Sequence, residues 1–508
     1  MKLDWKKLLS GLFIGVGMTM ISACSNNEDY EPGGNGSGKE ITEPTETGYL
    51  SVRLSLDSFG RTRALGTEAG RPEEYKTETV WLVLYGADSD VVEYAWKLDA
   101  KNTNDEGTFQ GSDVSSELPG SYYDRFITVG KQVVRKKYKM IVAVNPPTGV
   151  SVMFEVGTPY AAEVAHQITS RADLITNTVG WARDNYFYMT NEQGPVDVFE
   201  SDIKDSQKKA ERDPKLVIVE RGVAKVVMNN TQPVIQNGDK FINIKWDLDV
   251  TSKQSYSIRQ MTYLLGGITM EQAGDGSDRS ERYARDPNFS KGGDDSVLDL
   301  LFEYLPYNPY PYLTKQFGST DNYVYTFENT MAVDNQYRNT TTRVVIAGNY
   351  IPNFKSIMPT EPINFYTFNG NIYDDDDMEY YSRNLSSAPS NLRNAMNTVI
   401  QNRGNDIFYS STIKDSFSEA GINYYKDGVC YYTAMIRHFD DSQGAYFRAY
   451  GRWGLVRNNV YRLTLSSINA IGSPTLDRPE AIFNDKISTR SAETESSPIE
   501  LLQTRGEE

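Results

Sequence analysis

Residues 428–472 constrain the fold more than any other stretch. Val429, Tyr431, Thr433 and Met435 alternate with Cys430, Tyr432, Ala434 and Ile436, and Val460, Arg462 and Thr464 alternate with Tyr461, Leu463 and Leu465. Period two in aromatic and β-branched residues is the pattern of a strand. Between the two runs, Gly454-Leu455-Val456-Arg457-Asn458-Asn459 sets turn formers beside a charge just before the second strand. The pattern predicts a sheet closing here, and the same alternation recurs along the chain. Ile242, Ile244, Trp246, Leu248 and Val250 alternate with Asn243, Lys245, Asp247 and Asp249, with Thr251-Ser252-Lys253 as the turn. Residues 80–85 and 138–144 are apolar enough for buried strands, and Pro146-Pro147 ends the second. Residues 215–227 read as a strand carrying Arg221 and Lys225 outward, and residues 323–330 and 342–350 as a strand pair. No helix of length separates these runs repeatedly, so βαβ winding is not supported. Two helices are expected: a short one within 161–174, and an amphipathic one after Ser390 built on Leu392, Ala395, Met396, Val399 and Ile400.

A chain of 508 residues has room for two or three cores. Its 34 tyrosines favour strands and half-buried surfaces over helical bundles. The net charge of −16 leaves no basic excess to neutralise phosphates, which argues against nucleic acid as a partner. Two cysteines, Cys24 and Cys430, cannot build a disulfide framework, and Cys430 between apolar neighbours reads as a small core residue. His166 and His438 are the only histidines, and HExxH, G-x-S-x-G, P-loop, GxGxxG and paired-cysteine motifs are all missing. The expectation is no enzyme, no metal and no cofactor, although a glycosidase carboxylate pair would leave no local motif. Residues 371–377 (NIYDDDD) lack the EF-hand spacing and glycine and read as a solvated acidic loop. Residues 305–313 (LPYNPYPYL) read as a rigid surface loop, with a binding lip as the alternative.

The N-terminus is an address. Lys2, Lys6 and Lys7 precede an apolar run over 8–23, too short for a spanning helix, and Ile21-Ser22-Ala23-Cys24 fits the lipobox of bacterial lipoproteins. Residues 1–23 are therefore expected to be a signal peptide, with Cys24 lipidated, palmitate included; a plain signal cut nearby is the alternative. Residues 24–48, rich in Gly, Pro, Ser and acids, form a flexible tether. Leu50, Val52, Leu54 and Leu56 then alternate with polar residues as a half-buried first strand, and Arg61 and Arg63 follow in a loop.

Several of these stretches together resemble the fimbrillins of the Bacteroidetes, the subunits of type V pili, and their minor-fimbrillin branch in particular. The resemblance rests on GLVRNNVYRLTLSSINAIGSP at 454–474, on residues 215–227 as "V-x-V-x-R-x-VAKV", on WDLDVTSKQSY at 246–256, on YTFENT at 325–330 and on FYMTN at 187–191. It implies two antiparallel β-sandwich domains of transthyretin-like type, at 49–232 and 233–475, with a few short helices and a tail at 476–508. It also implies cleavage by a trypsin-like Arg-specific protease between Arg63 and Ala64, with Arg61 as the second candidate. That cut would detach the first strand with its lipid, and the vacated groove would accept a strand from another fimbrial subunit. The precursor would sit in the outer membrane and the product in the fimbrium at the cell surface. Two solvated arginines in a loop is the plain local alternative. The tail departs from the family. Its apolar islands, Ala481-Ile482-Phe483 and Ile499-Glu500-Leu501-Leu502, do not alternate over a donor's length, which points to a tip or accessory subunit that mediates adhesion; an unusual short donor or a truncated gene are the alternatives. The competing reading is a monomeric surface lipoprotein that binds glycan or host protein through Tyr307, Tyr310 and Tyr312.

Overall fold

Strand accounts for 41% of the computed structural model and helix for 17%, so the chain is mainly β with several sheets and few short helices. The structure describes residues 46–55, 76–102, 109–116, 125–160, 165–176, 180–183, 186–235, 238–260, 283–355, 359–438, 451–481 and 499–505. Residues 44–508 form one compact unit.

Strands β1 (Thr47–Leu50), β2 (Val52–Ser55), β3 (Val80–Gly86), β4 (Val92–Leu98), β5 (Arg125–Ile127), β6 (Lys131–Val134), β7 (Tyr138–Val144), β8 (Ala165–Gln167), β9 (Met189–Asn191) and β10 (Lys215–Arg221) come first. The large sheet runs β4-β3-β7-β9-β10-β2-β5, with β1 paired to β6 beside it. Leu82, Leu84, Ile141, Val142, Val217 and Val219 are among the side chains that close its core. The short helix expected within 161–174 is instead β8 followed by one helical turn at Asp173–Thr176. Residues 165–167 find a better use for their backbone groups, pairing with a strand of the second half.

In the second half come β11 (Ala224–Met228), β12 (Lys240–Asp249), β13 (Gln254–Tyr256), β14 (Tyr323–Thr326), β15 (Arg343–Ile351), β16 (Phe365–Phe368) and β17 (Asn371–Tyr373). Helices α1 (Asp375–Arg383) and α2 (Ser390–Arg403) follow, then β18 (Phe417–Glu419), β19 (Ile422–Tyr425), β20 (Val429–Met435), β21 (Val460–Ile468) and β22 (Ile499–Arg505). One sheet runs β22-β21-β11-β14, and a second sets Lys315–Gln316, β12, β15 and β20 side by side. Val226, Tyr461, Leu463 and Leu465 of the first face Trp246, Leu248, Ile346 and Tyr432 of the second across a shared core. This is a β-sandwich. Antiparallel pairing dominates; among the described residues β2–β10, β11–β21 and the Val234–Ile235 pairing with β21 are parallel.

Several sequence readings are corrected here. The two runs of 428–472 do not pair: β20 lies in one sheet and β21 in the other, and so do β14 and β15. Alternation identifies a strand but not its neighbour. Residues 215–227 are two strands, broken at Gly222-Val223, where the chain leaves the first core for the second. A side chain at Gly222 would meet the Trp181 ring at 2.5 Å. Lys225 is buried, its ammonium 4.7 Å from the Tyr323 ring centre. Asp247 and Asp249 are buried as well. Arg171 from the first half reaches Asp247 at 2.5 Å, and Arg343 Nε lies 2.8 Å from Asp249. The acidic residues 374–377 start α1, with Asp374 accepting from the Asp377 backbone N–H at 2.9 Å. Helix α2 is where the apolar spacing placed it.

Candidate functional site

Residues 47–55 run through the middle of the first half rather than along an edge. Strand β1 pairs antiparallel with β6, Thr47 opposite Val134 and Leu50 opposite Lys131. At Ser51 the chain changes partners. Strand β2 then lies between β10, parallel, and β5, antiparallel, so that Leu54 stands opposite Val217 on one side and Phe126 on the other. The crossover is tied by Ser51 Oγ donating to the Thr128 carbonyl at 2.7 Å and by Thr128 Oγ1 accepting from Val52 N at 2.9 Å. Tyr49 and Lys204 exchange backbone hydrogen bonds at 2.8 Å. Leu50, Val52 and Leu54 are at most 1% exposed. Gly48 is needed for the fit, since a Cβ there would meet Ile203 at 2.6 Å. Taking this segment away would leave backbone donors and acceptors on both walls and an apolar floor between them. Cys24, Leu56, Arg61, Arg63 and Ala64 lie outside the described residues.

The tail forms a strand, contrary to its reading as two unconnected islands. Strand β22 runs antiparallel to β21 with Ile468 opposite Ile499 and Leu463 opposite Gln503. Ile499 is buried and Leu501 half-buried against the sandwich core, while Leu502 is exposed. Gln503 clasps the other sheet: its Nε2 donates to the Met435 carbonyl and its Oε1 accepts from Arg437 N, both at 2.9 Å. Sequence alternation missed this strand because its inward positions are two apolar residues and an amide.

The stretches that carried the family resemblance converge between the two halves. Arg457, fully buried, donates through Nη2 to Glu328 Oε1 at 2.5 Å and to Ser255 Oγ and the Tyr256 carbonyl at 2.8 Å. Asn458, in the left-handed region at φ 59, donates its N–H to the Val223 carbonyl at 2.8 Å and accepts from Arg221 N at 3.2 Å. Leu455 and Asn329 exchange backbone hydrogen bonds at 2.8 Å. Gly454, at φ +123, brings the turn against that backbone, for a Cβ would stand 2.4 Å from the Asn329 carbonyl oxygen. Strands β8 and β13 pair across the same junction. These motifs are a structural lock, not a reaction centre.

Glu220 lies in the lock, 2.5 Å from Arg259. Desolvation raises its carboxyl to about 8, against the pull of Arg259 and Arg457 and with the added push of Glu192 and Glu328. The unfolded chain releases this proton near the ordinary value of 4.5 and the folded chain holds it to about 8, so the folded state binds more protons in between. Stability from this group is present below about 4.5 and is lost as pH rises through about 8. Glu220→Gln is expected to flatten the dependence, read from urea midpoints taken across that window. An unchanged slope would mean that Arg259 keeps Glu220 ionised throughout.

His438 is buried, its Nδ1 2.7 Å from the Tyr461 hydroxyl, and Cys430 is a buried core thiol pushed up to about 12 by desolvation. Among the described residues no cluster of His, Cys, Asp and Glu could hold a metal ion. Tyr307 and Tyr312 are exposed, whereas Tyr310 packs inward and donates its hydroxyl to the Asn243 carbonyl at 3.0 Å.

Residues 423–498 match the family described as major fimbrial subunit protein type IV, fimbrillin, C-terminal. The chain carries a fimbrillin C-terminal segment. The match spans β20, β21 and the exit from the sandwich, and it meets the resemblance read from GLVRNNVYRLTLSSINAIGSP. No curated protein matches the chain. Among solved structures, a cell adhesion protein from Parabacteroides distasonis is 11% identical at a TM-score of 0.41, over 90% of this chain and 96% of that one. A fimbrilin from Porphyromonas gingivalis is 14% identical at 0.39, over 84% and 92%. The tip fimbrial protein Mfa3 from the same organism is 10% identical at 0.31, over 91% and 99%.

Proposed function

We propose that this fimbrillin-type chain is a pilus subunit of the cell surface. It is exported as a lipoprotein through Cys24, cut after Arg63, and joined to another subunit by strand exchange in the groove that residues 47–55 vacate. The observation that carries this is the first strand itself. Its β2 part is laddered on both sides, between β10 and β5, and its inward side chains are apolar, yet only residues 56–63 lie between it and the cut. A segment so placed is a poor choice for a tether and a good one for a removable plug.

The tail supports a tip or accessory position over a stalk position. Each inward side chain of β2 and the end of β1 is apolar, whereas β22 would offer Ile499, Leu501 and Gln503 on one face and Glu500 and Leu502 on the other. An amide in the third pocket would be buried without a partner, at a cost of about 1–3 kcal/mol. At home, Gln503 has both its partners.

N-terminal sequencing and intact mass of the protein shed from cells test the reading, with Arg63→Ala and Arg61→Ala alongside. The wild type is expected to begin at Ala64, and Arg63→Ala to stay lipidated and unassembled. Lipidated Cys24 retained throughout in the wild type would leave a free-standing surface lipoprotein. That second reading draws on the exposed Tyr307 and Tyr312, and it predicts that Tyr307→Ala with Tyr312→Ala loses glycan or host-protein retention while assembly is unchanged.

A further inference from the structure

The chain between β15 and β20 folds around a small core of its own. Strands β16 to β19 form a sheet in the order β17-β16-β19-β18, and α1 and α2 bury Met378, Leu392, Met396 and Val399 against Tyr366 and Phe417. Nothing in the strand-exchange reading uses this module.

At its centre sits a lysine. The Lys414 side chain is 3% exposed and its Nζ lies 3.5 Å from Asp375 Oδ1. Aromatic rings wall it in, Tyr424 at 4.8 Å and Tyr366 at 5.7 Å from the nitrogen. One of its N–H groups donates to the Tyr409 carbonyl at 3.1 Å, which fixes the direction of the head group. Asp375 Oδ1 is buried with no closely formed hydrogen bond, the carboxylate lying beside the Lys414 ammonium and the Tyr366 hydroxyl, while Asp375 Oδ2 accepts from Asn364 Nδ2 at 3.1 Å. The other carboxylate in the neighbourhood, Glu379, is occupied by the Ser410 N–H and hydroxyl and by Arg383. A relaxed charge-assisted hydrogen bond would close to about 2.7–2.9 Å. This pair is instead held at van der Waals reach in an apolar pocket, with an amide donor on the far oxygen. Desolvation also lowers the proton affinity of Lys414, and a neutral amine is a nucleophile.

We propose that Lys414 and Asp375 condense into an intramolecular amide that staples the inserted module. The ammonium first passes one proton to the carboxylate, because two neutral groups are favoured over an ion pair where water is excluded. The Nζ lone pair then attacks Cγ, and the negative charge that develops on Oδ2 is met by the Asn364 N–H. The Cγ–Oδ1 bond breaks as the oxygen takes a second proton from nitrogen and leaves as water. One C–N bond forms, one C–O bond breaks and no oxidant or reductant is needed. The enforced approach of the two groups supplies the driving geometry. Such a link closes the chain from 375 to 414 covalently in a protein whose described residues hold one free cysteine and no disulfide, constraining the unfolded module as a disulfide would.

Peptide mass mapping of the purified, denatured full chain decides this. Trypsin is expected to release residues 356–383 joined to residues 404–426, lighter by one water than the two peptides together and uncut at Lys414. In Lys414→Arg trypsin cuts at position 414, and residues 356–383, 404–414 and 415–426 are expected as three separate peptides at their sequence masses; Asn364→Ala is expected to raise the unlinked fraction. Unlinked peptides at full mass in the wild type would overturn the proposal. So would a water loss confined to residues 356–383 that persists in Lys414→Arg, which marks a succinimide at Asp375 instead. The wild-type map stands alone if a variant fails to fold.

Discussion

A chain that starts at residue 56 is expected to lose most of its stability and to regain it when a peptide of residues 47–55 (TGYLSVRLS) is added. Leu50, Val52 and Leu54 are at most 1% exposed, and burying three such side chains stabilises a fold by about 5–9 kcal/mol. Total stabilities of about 5–15 kcal/mol leave little after that loss. The vacated walls of β5 and β10 would also expose unpaired backbone groups, a template for any extended segment. Thermal unfolding of the truncated chain is the measurement, with the peptide titrated in. Its midpoint is expected to fall by more than ten degrees, on the order of the shift that several kcal/mol produces in a domain of this size. Added peptide should raise it in a saturable way. A peptide carrying Leu50→Asp and Leu54→Asp should do nothing. An unshifted melt that ignores the peptide would remove the groove from the assembly argument.

The second large effect is expected at the lock. Arg457→Ala should cost about 3–5 kcal/mol, because it strands the Glu328 carboxylate in a buried site. Both side chains are 0% exposed. Glu328→Ala alone should cost a similar amount for the opposite reason. The double replacement Arg457→Met with Glu328→Leu removes both charges and is expected to recover most of the loss, since apolar packing replaces a pair whose desolvation was expensive. Urea unfolding of the wild type, Arg457→Met, Glu328→Leu and the double variant gives the cycle. Additive losses in the double variant would mean that the two residues stabilise the fold independently, through Ser255 and the Tyr256 carbonyl on one side and the turn at Asn329 on the other.

The strands and the fimbrillin-type C-terminal segment were legible in the sequence for a physical reason. Side-chain period is a local property, and β3, β7, β12, β20 and β21 each show it without reference to any partner. The turn at Gly454–Asn459 was equally readable, because left-handed backbone and close approach restrict residue type locally. The loop expected of NIYDDDD was not. A helix N-terminus and a solvated acidic loop favour the same residues, and only Met378 reaching the module's core decides for the helix. Lys414 and Asp375 gave no sequence signal at all, being one lysine and one aspartate among many until β16, β19 and α1 bring them together.

Sequence alone determined that this chain is mainly β and carries a fimbrillin-type C-terminal segment, since period and turn motifs are written in neighbouring residues. The tertiary structure decided which strand sits beside which. It sent 215–221 and 224–228 to different cores, covered Asp247 with Arg171, set β2 between β10 and β5, and folded residues 499–505 home onto β21. Those outcomes depend on which surfaces are left to be buried after every other strand has found its place, and burial is a property of the whole chain.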